Sequence, residues 1–147
     1  RYYRTLEAFA EPRLRDHIPL MIGGSGEKKT FGLAARFFDH LNIIASFDEL
    51  PGKIEALARR CDEVDRDPAT LETSMLLTAV PDATMTDDML PAEMRGRMVV
   101  GSPERIAEAV ATNVVGAGVD GVILNLPAYV PGSITRVGEA LRPVLGL

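Results

Sequence analysis

The chain has 147 residues, the length of one ordinary domain, and its 46% hydrophobic and 25% charged content is typical of a globular protein rather than a disordered one. Its formal net charge is −5 without any block of Lys or Arg, which argues against a nucleic acid or an anionic membrane as partner. One cysteine and two widely separated histidines exclude a disulfide framework and leave no metal-ligand spacing.

Neither a membrane-spanning apolar run nor a signal-peptide pattern occurs in the sequence, so we expect a cytoplasmic protein. The sequence begins with Arg1 instead of Met, and we therefore expect it to belong to a longer protein. No linker or internal repeat divides it, which predicts a single α/β domain over residues 1–147.

The first unit of the chain predicts a strand, a turn and a helix. Residues 18–22 form a short apolar run, typical of a strand buried on both faces of a parallel sheet. The Gly-rich residues 23–26 predict a turn, and residues 27–39 a helix. The apolar stripe of this helix is expected to consist of Thr30, Leu33, Ala34, Phe37 and Phe38.

A second unit follows, with a strand over residues 41–45 and a helix that ends at Pro68. Ser46 and Glu49 have capping-box spacing, although Pro51 favours a slightly later helix start. The buried face of this helix is expected to consist of Ile54, Leu57, Ala58, Cys61 and Val64. Because a buried thiol is inert, Cys61 is interpreted as a core residue.

In the second half, residues 71–80 predict a strand and residues 81–96 an irregular excursion. Ser102 and Pro103 predict the start of a helix. A buried strand is predicted after it over residues 121–126, and then a further helix over residues 131–145. Strands that alternate with helices indicate right-handed βαβ units around a parallel sheet.

The loop from Gly23 to Thr30 is the segment most typical of a binding site. Ligands of parallel α/β folds bind at the carboxyl ends of strands, where the first N–H groups of the next helix lack internal partners. An anion is stabilised there, whereas each lysine in a first helical turn is unfavourable by about 0.3–1 kcal/mol. The loop therefore predicts a phosphate site made of Gly23, Gly24, Ser25, Gly26, Lys28, Lys29 and Thr30.

Two other interpretations of the loop are weaker. Lys28 and Lys29 could both be solvated surface residues that Glu27 partly neutralises. A P-loop of a nucleotide hydrolase requires G-x-x-x-x-G-K-[ST], but Lys28 stands where the second Gly is needed.

The segment IPLMIGGSGEKKTFGLAARFFDHLNI, residues 18–43, resembles the luciferase-like flavin and deazaflavin oxidoreductases, in particular the branch that uses coenzyme F420. Further stretches carry the same resemblance over nearly the whole chain. They are Tyr3-Arg4 and Glu11-Pro12-Arg13, similar to a hairpin before the first strand, the helix end over residues 60–68, and the helix start Gly101-Ser102-Pro103-Glu104.

The resemblance implies a (β/α)8 barrel of about 250 residues or more, of which this chain would be the C-terminal half. It implies that Gly24, Ser25 and Gly26 offer backbone N–H groups to the cofactor phosphate, with Lys28 and Thr30 as side-chain contacts and Lys29 as a weaker candidate. Coenzyme F420 is the expected cofactor and FMN is the alternative. Asn42 either points into the barrel mouth towards the cofactor or is a buried, hydrogen-bonded amide.

The expected activity is that of an oxidoreductase that acts on a small molecule, by hydride transfer with F420 or by oxygenation with reduced FMN. Residues around the cofactor ring would come from strands outside this chain, so no catalytic residue is assigned. His40 is interpreted as a packed, hydrogen-bonded residue, with a role as general acid or base as the less common alternative.

Two further hypotheses stay open at this point. The chain could be a non-catalytic phosphate-binding α/β module, or an inactive barrel fragment. The open edges of a half-barrel sheet would pair with a second copy in a homodimer, or with the missing N-terminal half.

Overall fold

The computed structural model describes Leu6, residues 16–127 and residues 130–147. The segments Tyr3-Arg4 and Glu11-Pro12-Arg13, which resemble a hairpin, lie outside the described residues. Within the described ranges, no helix combines the length and the apolar character that crossing a membrane requires.

Strands and helices alternate along the described chain, as the sequence predicts. The strands are β1 (Met21–Gly24), β2 (His40–Ile43), β3 (Glu72–Val80), β4 (Met98–Val100) and β5 (Gly121–Asn125). The helices are α1 (Thr30–Phe37), α2 (Leu50–Asp62), α3 (Pro103–Asn113) and α4 (Ser133–Leu145). Residues 81–96 contain only two short 3₁₀ turns, which confirms the predicted irregular excursion.

The strands form one parallel sheet. β1 pairs with β2, β2 pairs with the first half of β3, and β5 pairs with β3 along its other side. At Thr78 the strand β3 has β5 on one side and β4 on the other, so β4 lies beyond the end of β2. The order β1-β2-β3-β5 therefore brings the carboxyl ends of four parallel strands to one edge of the sheet, where ligands of such folds bind.

The helices cover one face of this sheet and bury the main hydrophobic core. Alternate residues of a strand point to opposite faces, so one set of positions on β2 and β3 faces the helices. Full burial of a large apolar side chain is worth about 1.5–3 kcal/mol. The strand residues of this covered face are Leu41, Ile43, Met75, Leu77 and Ala79, all of them fully buried.

The opposite face, called here the open face, is only partly covered by the described residues: Asn42 and Ser74 are buried there, whereas its large apolar side chains are exposed. Met21 is 55% exposed, and Leu76 and Ile123 are 37% and 39% exposed. The prediction that residues 18–22 are buried on both faces is therefore wrong: β1 is an edge strand, and Leu20 just before it is 48% exposed. β5, also predicted to be buried, is likewise only partly covered.

The buried face of α1 also differs from the predicted stripe. Leu33 and Phe37 are 44% and 65% exposed, whereas Phe31, Ala34 and Ala35 are buried. Phe31 and Ala34 belong to a second stripe of helical spacing, rotated by one residue, and the sheet contacts that stripe. The predicted stripe is therefore confirmed at Ala34, which both stripes share, and is wrong at Leu33 and Phe37.

The predicted helix starts in the rest of the chain are confirmed, whereas the predicted end of the second helix at Pro68 is wrong, since α2 ends at Asp62 and Pro68 begins a separate 3₁₀ turn. Ser46 donates to Glu49 through its backbone N–H (2.8 Å) and its hydroxyl (2.7 Å), and α2 begins immediately afterwards. The hydroxyl oxygen of Ser102 accepts a hydrogen bond from the N–H of Arg105 (3.3 Å) at the start of α3. Cys61 is fully buried, and burial raises the pKa of its thiol, as expected for a core cysteine.

Candidate functional site

The Gly-rich loop lies at the carboxyl end of β1, although its boundaries differ from the prediction. Gly23 and Gly24 pair with β2 and are strand residues rather than turn residues. The predicted helix start at residue 27 is instead a turn over residues 27–29, and α1 begins at Thr30. The connection between strand and helix is thus residues 25–29, all of them exposed.

Two glycines of the loop are required by their close approach to Thr30. A Cβ atom at Gly24 would lie 3.1 Å from Thr30 Cγ2 and 3.2 Å from its Oγ1, and the φ of +152° at Gly24 is itself unfavourable for other residues. A Cβ atom at Gly26 would lie 3.2 Å from the same oxygen. The loop therefore wraps around the Thr30 side chain, and a larger residue at either glycine would displace it.

The backbone N–H groups of the loop are available to a ligand. Among the described residues, the N–H groups of residues 25–30 have no hydrogen-bond acceptor, and the first bond after them runs from Phe31 N to Gly26 O (3.1 Å). The first turn of α1 contains no acidic residue, and the N-cap residue Lys29 makes no side-chain cap. Free N–H groups at a helix N-terminus favour an anion, so this geometry is suited to a phosphate.

Side chains of α2 hold the loop in place. Lys53 Nζ donates to the carbonyl oxygen of Ser25 (3.2 Å) and to Glu27 Oε1 (2.8 Å). Arg60 Nε donates to the carbonyl oxygen of Glu27 (3.0 Å). Sequence analysis missed both basic residues, because they are 28 and 33 residues distant from the groups that they bind and no local pattern links them.

Glu27 is therefore the partner of Lys53. The hydrogen bond from Lys53, with the positive charge of that ammonium, lowers the pKa of the exposed Glu27 carboxyl. The suggestion that Glu27 neutralises Lys28 and Lys29 is wrong, since neither lysine forms an ion pair with any described residue.

Lys28 and Lys29 lie on the outer flank of the loop. Both are exposed and line a cavity of about 350 Å³ between α1 and α2, on the outer surface of the helix layer. The predicted phosphate residues thus form two adjacent groups. One consists of the backbone of residues 23–26 with Thr30, at the carboxyl end of β1, and the other consists of the two lysines beside it.

Asn42 lies on the open face, in register with Gly23 of the neighbouring strand. It is 7% exposed, and its Nδ2 donates to Ser74 Oγ (2.8 Å). His40 Nε2 lies 2.7 Å from the same Ser74 oxygen, and His40 Nδ1 lies 3.6 Å from Glu72 Oε2. Both side chains are therefore packed and hydrogen-bonded, and Ser74, which sequence analysis did not single out, joins them.

The donor set of the described residues is suited to anions. No group of three or more His, Cys, Asp and Glu side chains in the described part of the chain is placed to hold a metal ion. The loop instead combines free N–H groups, hydroxyls and two lysines, which are the groups that bind phosphate.

Comparison with known proteins gives matches only at the level of structure. No family model and no curated protein matches the chain. An F420-dependent secondary alcohol dehydrogenase in complex with an F420–acetone adduct is similar, with a TM-score of 0.73 and 18% identity over 94% of this chain and 52% of that chain.

Two other solved structures are similar as well. A riboflavin lyase with modified FMN and its substrate riboflavin has a TM-score of 0.64 and 16% identity, over 86% of this chain and 42% of that chain. A long-chain alkane monooxygenase has a TM-score of 0.60 and 14% identity, over 84% of this chain and 40% of that chain.

These likenesses confirm the fold. The parallel α/β sheet with its helices corresponds to part of a (β/α)8 barrel. The chain spans about half the length of these solved structures, or less.

Proposed function

We propose that this chain is part of a flavin- or deazaflavin-dependent oxidoreductase and that its Gly-rich loop binds the cofactor phosphate. The observation that carries the proposal is the row of N–H groups over residues 25–30, which lack an acceptor among the described residues at the carboxyl end of β1. Similar folds include one solved with an F420–acetone adduct and one solved with modified FMN, which supports a cofactor of this class.

Each predicted site residue has a proposed part in holding the cofactor. Gly23 and Gly24 let the phosphate approach the backbone, and the N–H groups of Ser25 and Gly26 donate to its oxygens. The Thr30 hydroxyl lies beneath this turn, against both Gly24 and Gly26.

The remaining contacts come from side chains beside the loop. Lys28 and, less directly, Lys29 supply positive charge from the outer flank. Asn42 faces the barrel interior on the neighbouring strand, and its Oδ1 is the atom it would offer to the ring, because Nδ2 already donates to Ser74.

The cofactor, when bound, supplies hydride transfer or oxygen activation, and this chain binds and orients it. Coenzyme F420 is the proposed cofactor, with FMN as the alternative and a small molecule as substrate. No catalytic residue is proposed within the chain. The open face is proposed to be covered by a second copy of the chain or by an N-terminal half, which would complete the barrel wall.

Binding titrations with coenzyme F420 and FMN, and with inorganic phosphate as competitor, test the proposal. They are run on this chain and on the longest natural protein that contains it. Saturable binding of one cofactor that phosphate displaces is the expected result and selects the cofactor. If neither chain binds either cofactor but phosphate still binds, the non-catalytic phosphate-binding module is the better account.

The variant Gly24→Ala tests the loop itself, with Gly52→Ala as matched control. A Cβ atom at Gly24 would meet Thr30 at 3.1 Å, whereas one at Gly52, in α2, meets nothing within 4 Å. We expect Gly24→Ala to weaken binding of the phosphorylated cofactor about tenfold, equal to about 1.4 kcal/mol, and Gly52→Ala to leave it unchanged. An equal loss for the dephosphorylated cofactor would show that the effect is structural and not phosphate recognition.

A further inference from the structure

The cavity between α1 and α2 has an excess of positive charge. Of its lining residues, Lys28, Lys29, Arg36 and Arg60 are basic, and Glu63 is the only acidic one. Two of the chain's three lysines meet here, although the protein as a whole has a net charge of −5. This cluster, called here the basic cavity, is therefore a local exception in an acidic protein.

Most of this charge has no counter-ion in the described part of the chain. Arg60 Nη1 donates to both oxygens of Glu63, at 2.7 and 2.8 Å, so these two charges offset each other. Glu27, the nearest other acidic residue along the chain, is held by Lys53. The side chains of three basic residues form no ion pair or hydrogen bond with any described residue; they are those of Lys28, Lys29 and Arg36. Three positive charges around one cavity are therefore uncompensated.

The basic residues reach the cavity from α1 and from the turn before it. Gly32 and Arg36 are four residues apart on α1 and so lie one turn apart on the same flank, whereas Lys28 and Lys29 line the same cavity from the turn that precedes the helix. A Cβ atom built on Gly32 meets no atom within 4 Å, and the cavity is therefore open directly above the helix backbone. The basic side chains surround a space floored by glycine, with room for a small ligand.

The two lysines lie at the positive end of the α1 dipole, where each positive charge is unfavourable by about 0.3–1 kcal/mol. A bound anion offsets this effect. The cavity volume of about 350 Å³ lies at the small end of ligand sites, which limits the occupant to a small molecule.

We propose that the basic cavity is a second anion site, separate from the loop backbone, for a small polyanion with three or more negative charges. A triphosphate group or a tricarboxylate has this chemistry. The uncompensated charges of Lys28, Lys29 and Arg36 provide affinity for such a ligand, and Arg60, fixed by Glu63 and the Glu27 carbonyl, forms the far wall. The proposal goes beyond the cofactor function: it shares Lys28 and Lys29 with that function but uses neither the backbone of residues 23–26 nor Thr30.

Calorimetric titrations with tripolyphosphate, citrate and orthophosphate test this site in the full chain. We expect tripolyphosphate or citrate to bind about tenfold more tightly than orthophosphate, which is a difference of about 1.4 kcal/mol in binding free energy. Tighter binding of tripolyphosphate indicates a phosphorylated ligand and tighter binding of citrate a tricarboxylate. Affinities of both polyanions no better than that of orthophosphate would overturn the proposal.

Two variants with matched controls localise the binding. Arg36→Gln removes one charge of the basic cavity, and its control, Arg59→Gln, removes an exposed charge elsewhere. Gly32→Leu places a side chain in the cavity from a position where a Cβ atom meets nothing within 4 Å, and its control is Gly52→Leu, a helical glycine whose Cβ atom is equally free. Arg36→Gln and Gly32→Leu are each expected to weaken polyanion binding about tenfold, and the controls less than about twofold.

The two proposals fail in different ways. Gly24→Ala is expected to weaken cofactor binding and to leave polyanion binding in place, since the basic cavity does not use the loop backbone. Normal polyanion affinity in both Arg36→Gln and Gly32→Leu would overturn the second site and leave the cofactor proposal unaffected. Circular dichroism of each variant identifies a loss of binding that comes from a loss of folding, and Arg36→Gln, an exposed substitution, keeps the test decisive if Gly32→Leu unfolds.

Discussion

The two faces of the sheet have different compositions, although they belong to the same strands. On the covered face, the residues of β2 and β3 that point to the helices are buried, and all of them are apolar except Thr73, whose hydroxyl donates to Asp120. On the open face, exposed apolar residues such as Met21 and Ile123 alternate with a hydrogen-bonded polar group around Ser74. The covered face is a complete core, whereas the open face has a composition typical of the interior of a barrel rather than of a solvated surface.

This difference separates the side chains that the helices of this chain bury from those that only the proposed additional strands would bury. The helix layer supplies stability and also holds the loop, because Lys53 and Arg60 reach the loop from α2. The open face supplies polar atoms at the centre of the proposed barrel, yet its apolar residues are buried only when other strands cover them. The proposed phosphate loop is therefore held by helices of this chain, whereas the proposed site around the cofactor ring also needs the strands that would complete the barrel.

The largest effect is expected from a pair of neighbouring leucines on β3. Leu77 is fully buried on the covered face, and Leu76 is 37% exposed on the open face. Leu77→Ala should lower the free energy of unfolding by about 2–5 kcal/mol because it leaves a cavity in a packed core, whereas Leu76→Ala should lower it by about 1 kcal/mol or less. Urea denaturation of the two variants measures both losses.

The same pair reports on what covers the open face. In a longer protein or an assembly that completes the barrel, the loss for Leu76→Ala should rise towards that for Leu77→Ala, because Leu76 becomes buried. Equal losses in the isolated monomeric chain would contradict the contrast between the two faces.

A smaller effect is expected at Arg66, which joins the end of α1 to the segment before β3. Its Nη1 donates to the carbonyl oxygens of Ala34, Ala35 and Phe38 at 3.2, 3.3 and 2.7 Å, and its Nη2 donates to that of Thr70 (2.9 Å). Arg66→Ala should destabilise the protein by about 2 kcal/mol, because charged hydrogen bonds to carbonyl groups at the end of α1 and at Thr70 are lost.

Two controls accompany Arg66→Ala in thermal and urea unfolding. Arg66→Lys should not restore stability, since a single ammonium cannot reach both α1 and Thr70 as the planar guanidinium does. Arg59→Ala, which removes an exposed arginine 4.0 Å from Glu55, should change stability by about 0.5 kcal/mol or less. A loss of stability at Arg59 as large as that at Arg66 would show that removing any arginine from this region destabilises the protein, and that the carbonyl contacts of Arg66 are not the cause.

The alternation of strands and helices could be predicted from the sequence because its signals are local. Ser102 with Pro103 fixes the start of α3, and Ser46 with Glu49 fixes the approach to α2, through contacts within one turn. The position of the Gly-rich loop was predictable for the same reason. Gly24 and Gly26 signal a close approach, which the structure explains by the side chain of Thr30.

The features that could not be predicted from the sequence depend on contacts between residues that are distant along the chain. On α1, the stripe through Leu33 and the stripe through Phe31 have equally good helical spacing, and only the position of the sheet selects the second one. Nothing near Lys53 indicates that its ammonium binds a carboxylate 26 residues earlier in the chain. The exposure of β1 was also unpredictable, because burial of an edge strand depends on which strand lies beside it.

On the open face, Ser74 is the residue whose removal should matter most. Its hydroxyl oxygen accepts a hydrogen bond from Asn42 and lies 2.7 Å from His40 Nε2. Ser74→Ala leaves two partly buried polar groups without this partner and should cost about 1–2 kcal/mol in urea unfolding. Thr78→Val on the same face is the control. Among the described residues, the Thr78 hydroxyl has a single side-chain hydrogen bond, from Asn125 Nδ2, and that bond is long at 3.4 Å. Similar losses of unfolding free energy for both variants would show that the hydrogen bonds of Ser74 stabilise the protein no more than the long contact of Thr78 does.

The smallest effect concerns the pH dependence of the loop. The bond from Lys53 keeps the pKa of Glu27 below its ordinary value of 4.5, and a carboxyl group with a lowered pKa in the folded state favours folding above its unfolded pKa. This contribution is lost as the pH falls through the folded pKa, and it is small because Glu27 is exposed.

Carboxyl NMR titration measures the effect directly. In the unmodified chain Glu27 should titrate below its ordinary pKa, and in Lys53→Met its pKa should rise, because the largest cause of the lowering is removed. Glu104, whose pKa is lowered mainly by Ser102, is the internal control and should not respond to Lys53→Met. An ordinary pKa for Glu27 in the unmodified chain would contradict the Lys53 contact. Since that ammonium also binds the Ser25 carbonyl, the result would then remove the main link by which the helix layer holds the loop.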